Sequence, residues 1–219
     1  MAVRTHEVHP AIVHFPITLL PIAIGADLLG RATGNHTLRE VGRWAMPLTA
    51  VTAALSAATG LVAQEEVKAE GRARDLLVTH RTMNLSFVGR SAVMAAWRWR
   101  SRAPSASYLA LALGSLGAVS YSAYLGSKMV YEYGVGVDAA RGLVRPEGAP
   151  EIAPGHVAEA ARSAAHDVAV AIPHAVDDAR RGELLPEITR NHEPLRRQPG
   201  EGPGGAAAGP VDGGDGLRG

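Results

Sequence analysis

Four long apolar segments lie in the first 137 residues, and short polar segments rich in arginine and glutamate separate them. An apolar segment of roughly 20 residues matches the hydrocarbon thickness of a bilayer. A helix satisfies its own backbone hydrogen bonds there. The pattern predicts an all-α polytopic membrane protein, a four-helix transmembrane bundle within residues 6–137, with spans at about residues 10–29, 44–63, 80–97 and 105–127.

The four predicted spans differ in polarity. Residues 44–63 and 105–127 carry no charge and are rich in alanine, glycine, serine and threonine, which let membrane helices approach closely. The span at 80–97 is the shortest and contains Arg90. An arginine at the bilayer centre costs about 2.5–3.5 kcal/mol on insertion scales. We therefore expect Arg90 to form an intramembrane ion pair with Asp27.

The composition changes after residue 137. Residues 138–219 are rich in glycine, proline, alanine, arginine and acidic residues, and they contain few large apolar side chains. Such a segment buries too little apolar surface to offset chain entropy. We predict a low-complexity, mostly disordered tail, with a helix of low stability at residues 155–172. No internal repeat is evident in the sequence.

Charge and cysteine content exclude several functional classes. Residues 1–137 carry a net charge of +5 and the remainder −4, which gives the overall +1. No basic patch with interleaved aromatic residues is present, so nucleic acid is not expected as a partner. The absence of cysteine excludes disulfides, thiolate metal sites and c-type haem attachment. No phosphate loop or nucleophile motif occurs, and this favours a non-catalytic protein.

Four crossings would place both ends of the bundle on one side of the membrane. Basic residues near the spans are equal in number on the two sides, but the first span has one arginine before it and three after it. Since cytoplasmic loops are enriched in basic residues, we expect extracytoplasmic termini in the inner (plasma) membrane. The opposite face would carry an aromatic belt of Trp44, Trp97, Trp99 and Tyr108.

The same topology gathers histidines at one membrane face. Imidazole is a common ligand of haem iron and of divalent metals. We predict that His14 and His80 are axial ligands of a b-type haem, with His9 in support. The alternative is a divalent metal bound by His9, His14, Glu65 and His80. His9 and His14 are five residues apart and point in different directions on a helix, so they do not form an i,i+4 metal pair. A plain interfacial role for these histidines stays equally open.

Two motifs resemble a known family. HPAIVHFPITLLPIA at residues 9–23 and GSKMVYEYGVGV at 126–137 are similar to the bacterial membrane proteins grouped as domain of unknown function 2231. The resemblance covers roughly residues 6–137. It implies histidines at the positions of His9, His14 and His80, and an electron-transfer setting, because some members are fused to Rieske-type iron–sulfur domains. The chain departs from the family at Tyr133, where the motif often has histidine, and at Glu65, where the acidic position is shifted.

Three functional hypotheses follow. The first is a non-catalytic accessory or scaffold subunit that packs on a membrane partner or on a second copy of the chain. The second is a membrane redox module that binds haem b or a metal and exchanges electrons with a membrane redox partner. The third is a small transporter that uses Asp27 and Arg90. All three require the lipid bilayer as surroundings.

Overall fold

The computed structural model describes residues 3–137, 141–144, 151–152 and 155–190. The predicted all-α class is confirmed. Seven helices and one pair of two-residue antiparallel strands follow in chain order: β1 (Val3–Arg4), α1 (Thr5–Ile12), α2 (His14–Thr33), α3 (His36–Glu66), α4 (Gly71–Arg100), α5 (Ala106–Tyr133), β2 (Glu151–Ile152), α6 (Val157–Arg180) and α7 (Pro186–Thr189).

Helices α2 to α5 form a ring of four. Each packs against the next, and α5 packs back against α2, so that α2 and α4 face each other across the bundle. His80 near the start of α4 bonds to Ser122 near the end of α5, while Arg98 near the end of α4 bonds to Arg39 near the start of α3. Helix α4 therefore runs antiparallel to both neighbours. The apolar core between the helices includes Leu20, Ala23, Met46, Ala53, Phe87, Met94, Ala112 and Val119.

Local sequence signals set the helix boundaries. The side chain of Asn35 accepts from the backbone N–H of Leu38 at the start of α3, and Ser105 does the same for Tyr108 at the start of α5. Such caps satisfy the free N–H groups of a first turn. Proline at position 16 has no N–H to donate to Ile12, and the first helix is broken at Val13, between α1 and α2.

Three segments are long and apolar enough to cross a membrane: Glu7–Thr33, His36–Glu66 and Ala106–Tyr133. Helix α4 has the length, with 30 residues, but it is not among them. Its arginines at 72, 74, 81, 90, 98 and 100 lower its mean hydropathy. Length and composition thus support three of the four predicted spans.

The predicted disorder of the tail is wrong for residues 155–190. Helix α6 is longer than the expected 155–172, and α6 and α7 pack on α3 and α4. Ion pairs hold this segment to the bundle; they join Arg72 and Lys128 to Glu187, Arg74 to Asp178 and Glu183, Arg81 to Asp178, and Asp75 to Arg190. Hydrophobicity alone could not reveal these contacts. The glycine- and proline-rich residues from 196 onward lie outside the described residues.

The predicted ion pair of Asp27 has a different partner. Asp27 lies on α2 and accepts from Nε of Arg98 with both carboxylate oxygens, at 2.9 and 3.0 Å, in place of Arg90. Both side chains are completely buried. Gly42 of α3 leaves room for the carboxylate, because a Cβ atom there would lie 2.3 Å from Oδ1 of Asp27. Arg98 faces Asp27 across the ring since α4 continues to residue 100, beyond the predicted span end.

Replacing Asp27 with alanine should destabilise the protein by about 3–5 kcal/mol, because Arg98 is then buried without a counter-charge. Replacing Arg90 with glutamine is the matched control, since Arg90 lies on the same helix and forms no pair with Asp27. We expect the control to change the free energy of unfolding by less than about 1 kcal/mol. Thermal unfolding of the two variants in detergent measures the difference, and equal losses of stability would contradict the assignment.

Docking of α6 should weaken in acid. Burial raises the pKa of Asp178, but hydrogen bonds from Arg81 and Arg181 outweigh it, so its net pKa lies below the usual 3.8. The docked state therefore binds fewer protons than the released state, and the contribution of Asp178 is present above pH 3.8 and lost as the pH falls below it. Electron spin labels at cysteines introduced at Lys68 and Ala165 report the distance between bundle and tail.

We expect a narrow distance distribution at pH 7 that broadens below about pH 4. In Asp178→Asn the broadening should already be present at pH 7. A distribution that stays narrow down to pH 3 would show that these charges do not hold the tail.

Candidate functional site

A cavity of about 1000 Å³ lies at the end of the bundle where α1 begins and α5 ends. This volume is at the upper end of the range for small-molecule and cofactor pockets. Its walls are mainly apolar, and four of the five helices α1 to α5 contribute residues besides Pro16 of α2. Two histidines, His9 of α1 and His80 of α4, line it.

His9 is fixed against helix α3. Its Nδ1 atom lies 3.0 Å from the backbone oxygen of Ser56. Because a carbonyl oxygen can only accept, Nδ1 carries the proton and Nε2 has the free lone pair. A Cβ atom added at Gly60, one turn after Ser56, would lie 3.0 Å from Cε1 of the imidazole. Glycine at position 60 therefore permits the close approach of the ring.

His80 is fixed against helix α5 in the same way. Its Nδ1 donates to the backbone oxygen of Ser122 at 2.8 Å, and a Cβ atom at Gly126 would lie 3.2 Å from Cε1. The surroundings differ in one respect. The amide Nδ2 of Asn84 lies 2.9 Å from Nε2 of His80, and the hydroxyl of Ser122 donates to Oδ1 of Asn84. The lone pair on Nε2 of His80 is therefore engaged by an amide N–H.

These two arrangements are repeats of one another. His9 and His80 are 71 residues apart, and so are Asp27 and Arg98. Ser56 and Ser122 are 66 residues apart, as are Gly60 and Gly126. The pair α1–α2 with α3 thus corresponds to α4 with α5, as two helical hairpins that run in the same direction. The sequence analysis found no internal repeat, and the structure corrects this.

The correspondence puts the two histidines at equal depth. Each lies 18 residues before its equivalent partner in the Asp27–Arg98 pair, which is about 27 Å along a helix axis. That distance is close to the hydrocarbon thickness of a bilayer. The histidines therefore lie near one membrane interface, on opposite members of the ring, and the buried ion pair lies near the other.

The other predicted ligands are not part of the cavity. His14 opens α2 on the far side of the break at Val13, and its side chain is exposed outside the cavity wall. Glu65 contacts Gln64 and His174 instead of the histidines. No group of three or more histidine, aspartate or glutamate side chains suited to a metal ion occurs among the described residues. The four-ligand metal site predicted from the sequence is therefore not assembled.

The rim of the cavity carries a positive charge that the tail neutralises. Arg81 lies one residue after His80, lines the cavity and is almost completely buried. Its guanidinium donates to Gln64 of α3 and to Asp178 of α6. The docked tail is therefore in direct contact with one wall of the site.

The predicted aromatic belt lies at the opposite end of the bundle. Trp44, Trp97 and Trp99 are exposed there, and the rings of Trp44 and Trp99 meet edge to face at 4.9 Å between centroids. Tyr108 is 1 % exposed and belongs to the core, so the belt consists of the three tryptophans.

A family model described as "Predicted membrane protein (DUF2231)" matches residues 5–139, well over half of the chain. The chain belongs to the DUF2231 family. The match covers both hairpins of the bundle and ends before α6, so the tail segment lies outside the DUF2231 domain. No curated protein and no solved structure matches the chain. The family description agrees with the three apolar helices, and the chain is a membrane protein.

Sequence reasoning identified His9 and His80 in the DUF2231 domain but missed the groups that orient them. The missed residues are Ser56, Gly60, Asn84, Ser122 and Gly126. A signal for four of them was present, since a serine is followed by a glycine four residues later in both α3 and α5. Small residues at this spacing are common in membrane helices, and for that reason the pattern did not stand out.

Replacing Gly126 with valine should destabilise the DUF2231 domain by about 1–3 kcal/mol, because the new side chain would overlap the ring of His80. The matched control is Gly117→Val on the same helix, where a Cβ atom would meet nothing within 4 Å. We expect little loss of stability in the control. Thermal unfolding in detergent compares the two variants; a similar loss in both would mean that the glycine does not serve to seat the histidine.

Proposed function

We propose that this protein is a membrane redox module that binds one b-type haem between His9 and His80. The observation that carries the proposal is the paired setting of the two imidazoles. Both face one cavity from opposite members of the ring at equal depth, and each has Nδ1 on a backbone carbonyl. Histidines that bind a metal usually donate the other ring N–H in this way, which fixes the tautomer and the ring orientation.

The chemistry of the cavity fits such a group. The walls near the histidines are apolar side chains and small residues, which include Val13, Ala57, Phe87 and Val119. An apolar shell controls the access of water and the potential of a bound metal. A haem with two imidazole ligands supplies one-electron chemistry at its iron when bound. The chain supplies the two ligands, their orientation and the apolar enclosure.

Asn84 sets a condition on binding. Its amide N–H occupies the lone pair of His80 that iron would use. The side chain must therefore turn away when His80 acts as a ligand, while the bond from Nδ1 to Ser122 can stay in place. Removing the Asn84 amide should leave the ligand function of His80 intact.

We propose further that α4 is a fourth span. Helices α3 and α5 are apolar enough to cross the membrane and run in the same direction, so the chain must return between them. Helix α4 packs antiparallel between the two and meets this need. Four crossings put the first residues of α1 and the end of α5 on one side. On the charges that flank the first span, that side is extracytoplasmic, in the plasma membrane.

Absorption spectroscopy of detergent-purified protein, produced with added haem precursor, tests the redox proposal. We expect a Soret band and about one haem per chain in the pyridine haemochrome assay, with a reduced spectrum typical of two histidine ligands. His9→Ala and His80→Ala should each lose the band or the low-spin spectrum. His14→Ala is the matched control and should keep both, as should Asn84→Ala.

A folded but colourless protein would contradict the proposal and favour the accessory-subunit hypothesis. Loss of the band in His14→Ala together with its retention in His9→Ala would contradict the choice of ligands. Circular dichroism of each variant separates loss of haem from loss of fold.

A further inference from the structure

Helix α6 has two exposed faces of opposite character. Six apolar residues follow each other at spacings of three or four and form the apolar stripe: Val157, Ala161, Ala165, Val168, Ile172 and Val176. All are exposed except Val168, which is half-buried, and the side chain of Ile172 has 50 % of its surface exposed. The opposite exposed face is polar and carries Glu159, Arg162, His166, Asp177 and Arg180.

A third, narrow edge of α6 holds the helix to the bundle. Ala160, Ala171 and Asp178 are its buried residues. The apolar stripe is therefore not the face by which α6 packs on its own chain. A stripe of this kind over about six turns is more than a soluble surface helix exposes without a partner.

The placement of α6 shows what lies next to the stripe. Its first residues adjoin β2, which pairs with β1 at the start of α1. Near its other end, His174 contacts Glu65 at the end of α3 and Asp178 contacts Arg81 near the start of α4. All these contacts are at the histidine end of the bundle. A helix of 24 residues is about 36 Å long, so an α6 aligned with the bundle would reach the opposite end.

We infer that α6 is an interfacial helix that lies in the headgroup plane and inserts its apolar stripe into the bilayer that surrounds the bundle. It crosses the bundle at the level where α1, α3, α4 and α5 begin or end, which is where the spans leave the hydrocarbon. Amphipathic helices with one apolar face and one charged face bind at this depth. The polar face with Arg162, His166 and Arg180 then faces the headgroups and water.

This inference is independent of haem binding and requires only that the bundle is in a membrane. It gives the segment outside the family match a function of its own: lipid contact orients α6 and, through Asp178, presents a carboxylate to Arg81 at the cavity rim.

The absence of native cysteine makes a direct test possible in the full chain. Single cysteines replace Ile172 and Val176 on the apolar stripe, and His166 and Asp177 on the polar face serve as matched controls on the same helix. Each is labelled with the fluorophore NBD after reconstitution into phosphatidylcholine–phosphatidylglycerol vesicles. Phosphatidylcholine with a nitroxide high on its acyl chain quenches labels that are in contact with lipid.

We expect labels at 172 and 176 to be quenched at least about twofold more than labels at 166 and 177, since an inserted stripe lies roughly 5–10 Å below the headgroup boundary. Equal quenching at the four positions would overturn the inference. So would protection of labels 172 and 176 that grows with the protein-to-lipid ratio, because a second copy of the chain would then cover the stripe.

Discussion

Polar side chains inside this bundle have to be satisfied by the bundle itself, because the lipid around it offers no hydrogen bonds. Asp27 and Arg98 meet this requirement as a closed pair at one end. His9 and His80 meet it at the other end by donating to carbonyls of Ser56 and Ser122. Those carbonyls belong to helices, and their second lone pair remains available for a side chain. Helix backbones thus act as acceptors and leave the outer nitrogen of each imidazole directed away.

The two ends of the bundle differ because their small residues serve different purposes. Gly42 makes room for a carboxylate that is neutralised at once by Arg98, and nothing further can bind there. Gly60 and Gly126 seat rings instead of charges, and a cavity stays between them. The tail adds its acidic residues only at the second end. Stability and ligand binding are therefore assigned to opposite membrane interfaces.

Apolar patterning was sufficient to predict the helices, since length and hydropathy determine them locally. Choosing partners needs the register between helices, which one sequence does not contain. Arg90 was preferred to Arg98 because the fourth span was ended at residue 97. His14 was preferred to His9, although at a separation of five residues only one of the two can face the core. The tail was judged by apolar content, and its ion pairs with Arg72, Arg74 and Arg81 have no hydrophobic signature.

The repeat of 71 residues has a consequence for how such a bundle can be encoded. Two identical hairpins assembled as a homodimer could still face imidazole with imidazole, so the histidine end tolerates exact symmetry. The charged end does not, because identical hairpins would oppose two carboxylates or two guanidiniums where Asp27 now meets Arg98. Covalent linkage of two unlike halves removes this conflict. One polypeptide can therefore have a symmetric cavity and an asymmetric lock, which two copies of a shorter chain could not combine.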